Sequence, residues 1–274
     1  MQKNTDKNEL LLQIMREFSK NDIAVAFSGG VDSSLLLKIA CSFARISGKK
    51  VYAITMQTRL HPAGEIADAR KICEEIGAFH IVITVDELLE AGILNNPTDR
   101  CYLCKKHLFV KMLEKAASLG VSTVIEGTNE DDLHVYRPGI RALRELNIES
   151  PLARAGMTKE DVRNLAKEYG LSASSKPSAP CLATRFPYGT ALSYEDMARV
   201  EKGEAWLKNL GFYNVRLRIH GQIARIETDK AAFPALLEQA EEITAYLKSL
   251  GYDYITLDLE GFRSGSMDIH LSQT

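Results

Sequence analysis

Residues 23–34, IAVAFSGGVDSS, decide how this chain folds. Ile23 to Phe27 are an apolar run of strand length, and VDSSLLLKIACSFAR beyond them carries its apolar residues at helical spacing. Only Ser28, Gly29 and Gly30 separate the two. A strand that enters a helix through so short a loop leaves the first amide groups of the helix without intrahelical partners. Glycine allows a ligand close to the backbone, and the hydroxyls of Ser28, Ser33 and Ser34 add donors. The segment Ser28, Gly29, Gly30, Val31, Asp32, Ser33, Ser34 therefore predicts a site for an anion. Its spacing is not that of the nucleotide loop ending in Gly-Lys-Ser/Thr, nor of Gly-x-Gly-x-x-Gly.

The same alternation continues outward. VYAITM (51–56), FHIVITV (79–85) and STVIEG (122–127) read as further buried strands, separated by helical stretches that end near Gly48, Gly77 and Gly120. This predicts an α/β fold with a doubly wound parallel sheet. EGTNEDD (126–132) follows the fourth strand, so Gly127, Thr128, Asn129, Asp131 and Asp132 belong on the same rim as the glycine loop. Thr158 is the expected N-cap of a helix, with Asp161 three residues on. After about residue 172 a Ser- and Pro-rich connection leads into a smaller α+β region. It comprises a helix over 193–209, the alternating strands VRLRI and IARIET joined through HGQ, a helix over 231–249 and a last strand YDYITLDL.

The chain has 274 residues, 45% of them hydrophobic and 26% charged, enough for a substantial core. It has no apolar run of membrane-span length and no secretion signal at its start, so the expected location is cytoplasmic and no membrane partner is expected. The net charge of −2 argues against nucleic acid as a partner.

Five cysteines in a reducing compartment point to metal or catalytic use more than to disulfides. Cys41 and Cys73 fall at apolar positions of amphipathic helices and read as core. Cys101 and Cys104, in DRCYLCKK, open a helix on one face beside Arg100, Lys105 and Lys106, surroundings that favour thiolates. Cys181 follows in SAPCLATRF. A redox dithiol would use two of these three, a structural zinc would need a fourth ligand, and a 4Fe-4S cluster with one open iron corner would use all three.

SGGVDS resembles the pyrophosphate loop of the PP-loop ATPases, which cleave ATP between the α and β phosphates and attach AMP to an oxygen of the substrate. That resemblance implies ATP and Mg2+, with Asp32 orienting the loop or assisting the metal and Met56 beside the adenine. SGGVDSS, EGTNEDD followed by YRPG (136–139), SAPCLATRFPYGT and VRLRIHGQIARIE together resemble the LarE family over nearly the whole chain. It implies an ATP-dependent sulfur transferase that adenylates a carboxylate of pyridinium-3,5-biscarboxylic acid mononucleotide and makes a thiocarboxylate, a precursor of the nickel-pincer nucleotide. Residues 1–180 would be the ATP pyrophosphatase domain and 181–274 the substrate or oligomerisation domain. One type in the family gives up the sulfur of its own cysteine, which matches Cys181. The other holds a 4Fe-4S cluster on three cysteines, with an extra sulfide on the unique iron, and matches Cys101, Cys104 and Cys181. The three-cysteine type is the expectation; sacrificial transfer from Cys181 and a tRNA or other small-molecule thiolase are the alternatives.

Arg216 and Arg218 alternate on one strand, so both face the same way and suit a phosphate or carboxylate; the resemblance implies an anion site there. Lys176 and Arg185 flank Cys181 and are candidates for the phosphate of the mononucleotide or AMP. Glu204 and Glu227 are read either as metal or substrate contacts or as ion-pair partners of the arginines. The expected partners are the mononucleotide, sulfide or another sulfur donor, and other cofactor-biosynthesis proteins. The family also implies a homo-oligomer, a hexamer built from trimers.

Overall fold

The computed structural model describes residues 2–60, 65–135, 137–172, 181–263 and 266–267. The chain divides into two units, one holding Met1–Arg59, Ala63–Gly92 and Asp99–Ala179, the other Leu60–Pro62, Ile93–Thr98 and Pro180–Thr274. No helix among the described residues is long and apolar enough to cross a membrane.

The first unit runs α1 (Gln2–Phe18), β1 (Ile23–Ala26), α2 (Val31–Ser47), β2 (Val51–Gln57), α3 (Glu65–Ile76), β3 (Phe79–Thr84), α4 (Glu87–Glu90), α5 (Arg100–Ser118), β4 (Thr123–Ile125), α6 (Gly139–Glu145), α7 (Pro151–Arg154) and α8 (Lys159–Glu168). All four strands are parallel, in the order β3-β2-β1-β4. Side chains alternate across the sheet, as the period of two requires. Ile23, Val25, Val51 and Ala53 join a core with Leu35, Leu36 and Leu37 of α2 and with Leu11, Leu152 and Leu165 of other helices. Ala24, Ile54 and Val124 meet Phe109, Met112 and Ala116 of α5 on the opposite face. Each fully buried Leu or Ile contributes about 1.5–3 kcal/mol, so helices on both faces are needed to cover strands this apolar. The strand order reverses beside β1, which places the loops after β1 and β4 next to each other at the carboxyl end of the sheet.

β3 departs from the expectation of a buried strand. It is the sheet edge, Phe79 is 56% exposed, and Ile81, Val82 and Ile83 are half-buried. Its apolar run reflects cover on two faces, which an edge strand obtains only in part.

The second unit contains α9 (Tyr194–Asn209), β5 (Val215–His220), β6 (Ile223–Thr228), α10 (Phe233–Glu238), α11 (Ala240–Ser249) and β7 (Tyr254–Leu257). β5 and β6 form the antiparallel hairpin expected through HGQ, with Gly221 at φ 62°, and β7 pairs parallel to β6. Trp206 of α9 stacks on Tyr246 of α11 at 4.1 Å. The single helix expected over 231–249 is two: Pro234 stands in the first turn of α10, and the backbone leaves helical geometry at Gln239, with ψ at 15°.

Candidate active site

Gly29 stands at φ 72°, a conformation glycine adopts without a Cβ penalty, and Gly30 is the N-cap of α2 with no side chain to cap it. The loop is held by its serines. Ser33 Oγ accepts from the Ser28 amide at 3.3 Å and donates to the Gly30 carbonyl at 3.2 Å. The first-turn amides of a 17-residue helix thus open onto a glycine loop.

The loop after β4 closes on this turn. A Cβ on Gly127 would lie 2.9 Å from Asp32 Cβ and 3.2 Å from the Ser33 amide nitrogen, so only glycine fits. Asn129, buried, donates through Nδ2 to Asp32 Oδ1 at 3.2 Å. Lys159, the first residue of α8, donates to Asp32 Oδ2, and its backbone amide donates to Asp131 at 2.8 Å. Asp132 accepts from the Asn129 amide at 3.2 Å and pairs with Arg137 at 2.8 Å. Of the residues expected on the rim, the glycine loop, Gly127, Thr128, Asn129, Asp131 and Asp132 are brought together. Met56 lies near the end of β2, half-buried, with its side chain packed against the core on the α5 face.

Two residues of this rim escaped the sequence reading. Glu126 is buried and accepts from the Thr128 amide and hydroxyl at 2.9 and 2.8 Å and from Ser150, with Lys105 of α5 at 3.6 Å. The other is Lys159. Its signal was a basic residue directly after the Thr158 cap, where the helix dipole favours acids.

The five thiols fall into two classes, none of them in a disulfide. Cys41 and Cys73 are buried, and burial pushes their thiols up to about 11 and about 12, as expected of core residues. Cys101 is exposed and Cys104 half-buried, three residues apart in the first two turns of α5. Cys181, in the second unit, is half-buried at the start of a short 3-10 turn, Leu182–Arg185. Its carbonyl accepts from the Thr184 hydroxyl at 2.7 Å. Within each unit, no three His, Cys, Asp or Glu side chains among the described residues converge as a metal site.

The second unit carries a buried charge cluster. Arg185 makes a two-pronged pair with Glu204 at 2.8 and 2.9 Å, and Glu204 also accepts from the Leu217 amide at 3.0 Å. Arg218 pairs with Glu227 at 2.9 Å and donates to the Thr184 carbonyl at 2.8 Å; Glu227 further accepts from Ser266 at 2.7 Å. Both glutamates therefore serve as ion-pair partners of the arginines here. Arg216 is different: among the described residues it has no carboxylate, only its own Val215 carbonyl at 2.7 Å and the Phe262 ring at 5.4 Å. Burial lowers its pKa, with Arg185 and Arg218 adding to the fall and the nearby charges of Glu204 and Glu227 opposing it. Lys176 lies outside the described residues.

Comparison with known proteins agrees with this geometry. Residues 3–99 match the family described as PP-loop domain. The pyridinium-3,5-bisthiocarboxylic acid mononucleotide synthase of Lactiplantibacillus plantarum is 37% identical over 97% of this chain and 95% of its own. Uncharacterized proteins of Synechocystis and Methanocaldococcus jannaschii are 36% and 32% identical, over 96% and 92% of this chain and 97% and 94% of theirs. A relative 37% identical over nearly the whole length of both chains, with the PP-loop match beside it, shows the kinship: the chain belongs to the LarE family of PP-loop enzymes.

Proposed function

We propose that the protein is an ATP-dependent sulfurtransferase acting on pyridinium-3,5-biscarboxylic acid mononucleotide, and that it inserts sulfur without consuming its own cysteine. The observation that carries the reading is the rim itself. The glycine loop and α2 amides meet Gly127, Asn129 and Lys159 at the switch point of a parallel sheet, in a chain of this family. A substrate carboxylate oxygen forms a bond to the α-phosphorus, and the bond from that phosphorus to the bridging oxygen breaks. Pyrophosphate leaves with the electron pair. Amides and hydroxyls of residues 28–34 stabilise the charge that develops on it, together with Mg2+. Addition of sulfur at the acyl carbon then expels AMP.

The residues present fit an iron–sulfur group by chemistry: three accessible thiols, Cys101, Cys104 and Cys181, stand apart from two that burial keeps protonated. A 4Fe-4S cluster held by these three would supply sulfur as sulfide. Arg216, with Arg185 and Arg218 beside it, is the cation we assign to the phosphate of the mononucleotide.

Anaerobic protein given ATP and the mononucleotide is expected to release AMP and pyrophosphate more than once per chain. It should contain iron and sulfide, and peptide mass spectrometry should find Cys181 intact. Iron-free protein that ends with dehydroalanine at Cys181 would sink the cluster assignment. Absence of pyrophosphate would sink the adenylation.

A further inference from the structure

We propose that Tyr102 is a positioning residue for sulfur transfer: docked on α6, it fixes how the first two turns of α5 present Cys101 and Cys104. This deepens the reading of these thiols as holders of the sulfur-donating group, and rests on it.

Tyr102 stands between the two thiols in sequence but not on their face. Cys101 and Cys104, three apart, share one side of α5, and Tyr102 and Lys106, four apart, share another. Tyr102 is only 8% exposed, whereas Cys101 is exposed and Cys104 half-buried. A shift of Tyr102 against its support therefore moves both thiols together. Burial alone would be served by phenylalanine. The phenol adds direction: its hydroxyl donates to Glu145 Oε2 at 2.7 Å and accepts from Lys106 Nζ at 2.9 Å, and the Arg141 guanidinium lies 3.9 Å from the ring centre. Glu145, Lys106 and Arg141 are all partly exposed, and pairs so placed add little stability. Further along α5, Phe109, Met112 and Ala116 already anchor it on the sheet. The cluster on Tyr102 thus specifies an orientation more than it holds the fold.

α6 also ties that orientation to the rim. Arg137, two residues before α6 begins, pairs with Asp132 at 2.8 Å, and Asp132 accepts from the Asn129 amide. At the start of α6 a Cβ on Gly139 would lie 2.8 Å from Lys105 Cδ and 3.6 Å from the Cys101 carbonyl oxygen, so α6 rests directly on the thiol-bearing turn. One short helix thus runs from the glycine-loop rim to the residue between the thiols, and Tyr102 is where α5 takes its alignment from it.

The test separates the two halves of the reaction in the anaerobic full chain: pyrophosphate released from ATP, and thiocarboxylate formed per pyrophosphate. Tyr102→Phe is expected to leave pyrophosphate release and the KM for ATP within about twofold of wild type and to lower thiocarboxylate per pyrophosphate by roughly tenfold to a hundredfold, the cost of a misplaced reacting group. In the iron-free chain the same variant should change the ratio of the alkylation rates of Cys101 and Cys104, read by peptide mass spectrometry. Glu145→Gln keeps an oxygen that accepts from Tyr102, so it should keep the yield even where it lowers Tm; Glu145→Ala should lose the yield. An unchanged alkylation ratio, an unchanged yield, or a yield that simply follows Tm across the variants overturns the positioning role. A chain carrying both Cys101→Ala and Cys104→Ala that still forms thiocarboxylate overturns the assignment of sulfur delivery to these thiols, and the role of Tyr102 with it.

Discussion

Gly127 has neighbours that cannot step aside. A Cβ there would press on Asp32 and on the Ser33 backbone, both fixed by the first turn of α2. Gly127→Ala is expected to cost about 1–3 kcal/mol in a urea melt and to weaken ATP binding with it; unchanged stability and binding would show that the rim has slack. The thiols give a second residue-scale prediction. Alkylation of the folded, iron-free chain at pH 8 should modify Cys101, Cys104 and Cys181 and spare Cys41 and Cys73, whose thiolate fractions at pKa values of about 11 and 12 are negligible, until urea is added. Early labelling of Cys73 would contradict its burial. Placements set by a short motif were readable in advance: Gly29 in the strand-to-helix loop, Asn129 on the same rim, and Cys41 and Cys73 in the core needed only spacing and periodicity. The place of Lys159 was not, because it depends on a contact with Asp32, 127 residues away, that no local pattern encodes.

At the scale of elements, the cysteine-bearing start of α5 is braced by α6. Glu145 at the end of α6 accepts from Lys106 Nζ at 2.8 Å, Tyr102 Oη at 2.7 Å and Arg141 Nε at 2.9 Å, and Arg141 stacks 3.9 Å from the Tyr102 ring centre. These hydrogen bonds, Lys106 first, hold the Glu145 carboxyl at about 2 against an ordinary 4.5. A depressed carboxyl stabilises the fold above its ordinary pKa and loses that contribution as pH falls toward the folded value. Glu145→Gln should therefore lower Tm at pH 7, by the modest amount typical of an exposed pair. The gap to wild type should narrow below about pH 4.5 in thermal melts taken down to pH 3. A gap independent of pH would remove the carboxylate from the account. The elements themselves were largely legible, since IAVAF, VYAITM and STVIEG are short apolar runs between helical periods. The edge position of β3 was not legible, because Phe79 to Thr84 look as apolar as an inner strand and only the pairing order separates the two.

The division of the molecule is less simple than a cut near residue 180. Leu60–Pro62 and Ile93–Thr98 belong with the second unit, and hydrogen bonds show why. The Leu182 amide donates to the Leu60 carbonyl at 2.8 Å, and the Leu192 amide to the Leu94 carbonyl at 2.7 Å. Asn96, fully buried at φ 47°, donates from Nδ2 to the Phe186 and Pro187 carbonyls at 3.1 and 2.7 Å, while its own carbonyl accepts from Gly189 at 3.0 Å. A change of composition along the chain reveals where a second unit begins, but it cannot reveal strands of contact that return to residues 60 and 96. A fragment of residues 180–274 expressed alone lacks these partners and leaves the 181–192 segment with orphaned polar groups, each worth about 1–3 kcal/mol when buried. That fragment should therefore melt at a lower temperature and less cooperatively than the same unit in the full chain, by circular dichroism with tryptophan emission from Trp206. In the full chain, Asn96→Ala should reproduce part of the loss. A fragment as stable as the unit in the whole protein would mean that Leu60 and residues 93–98 pack against it without supporting it.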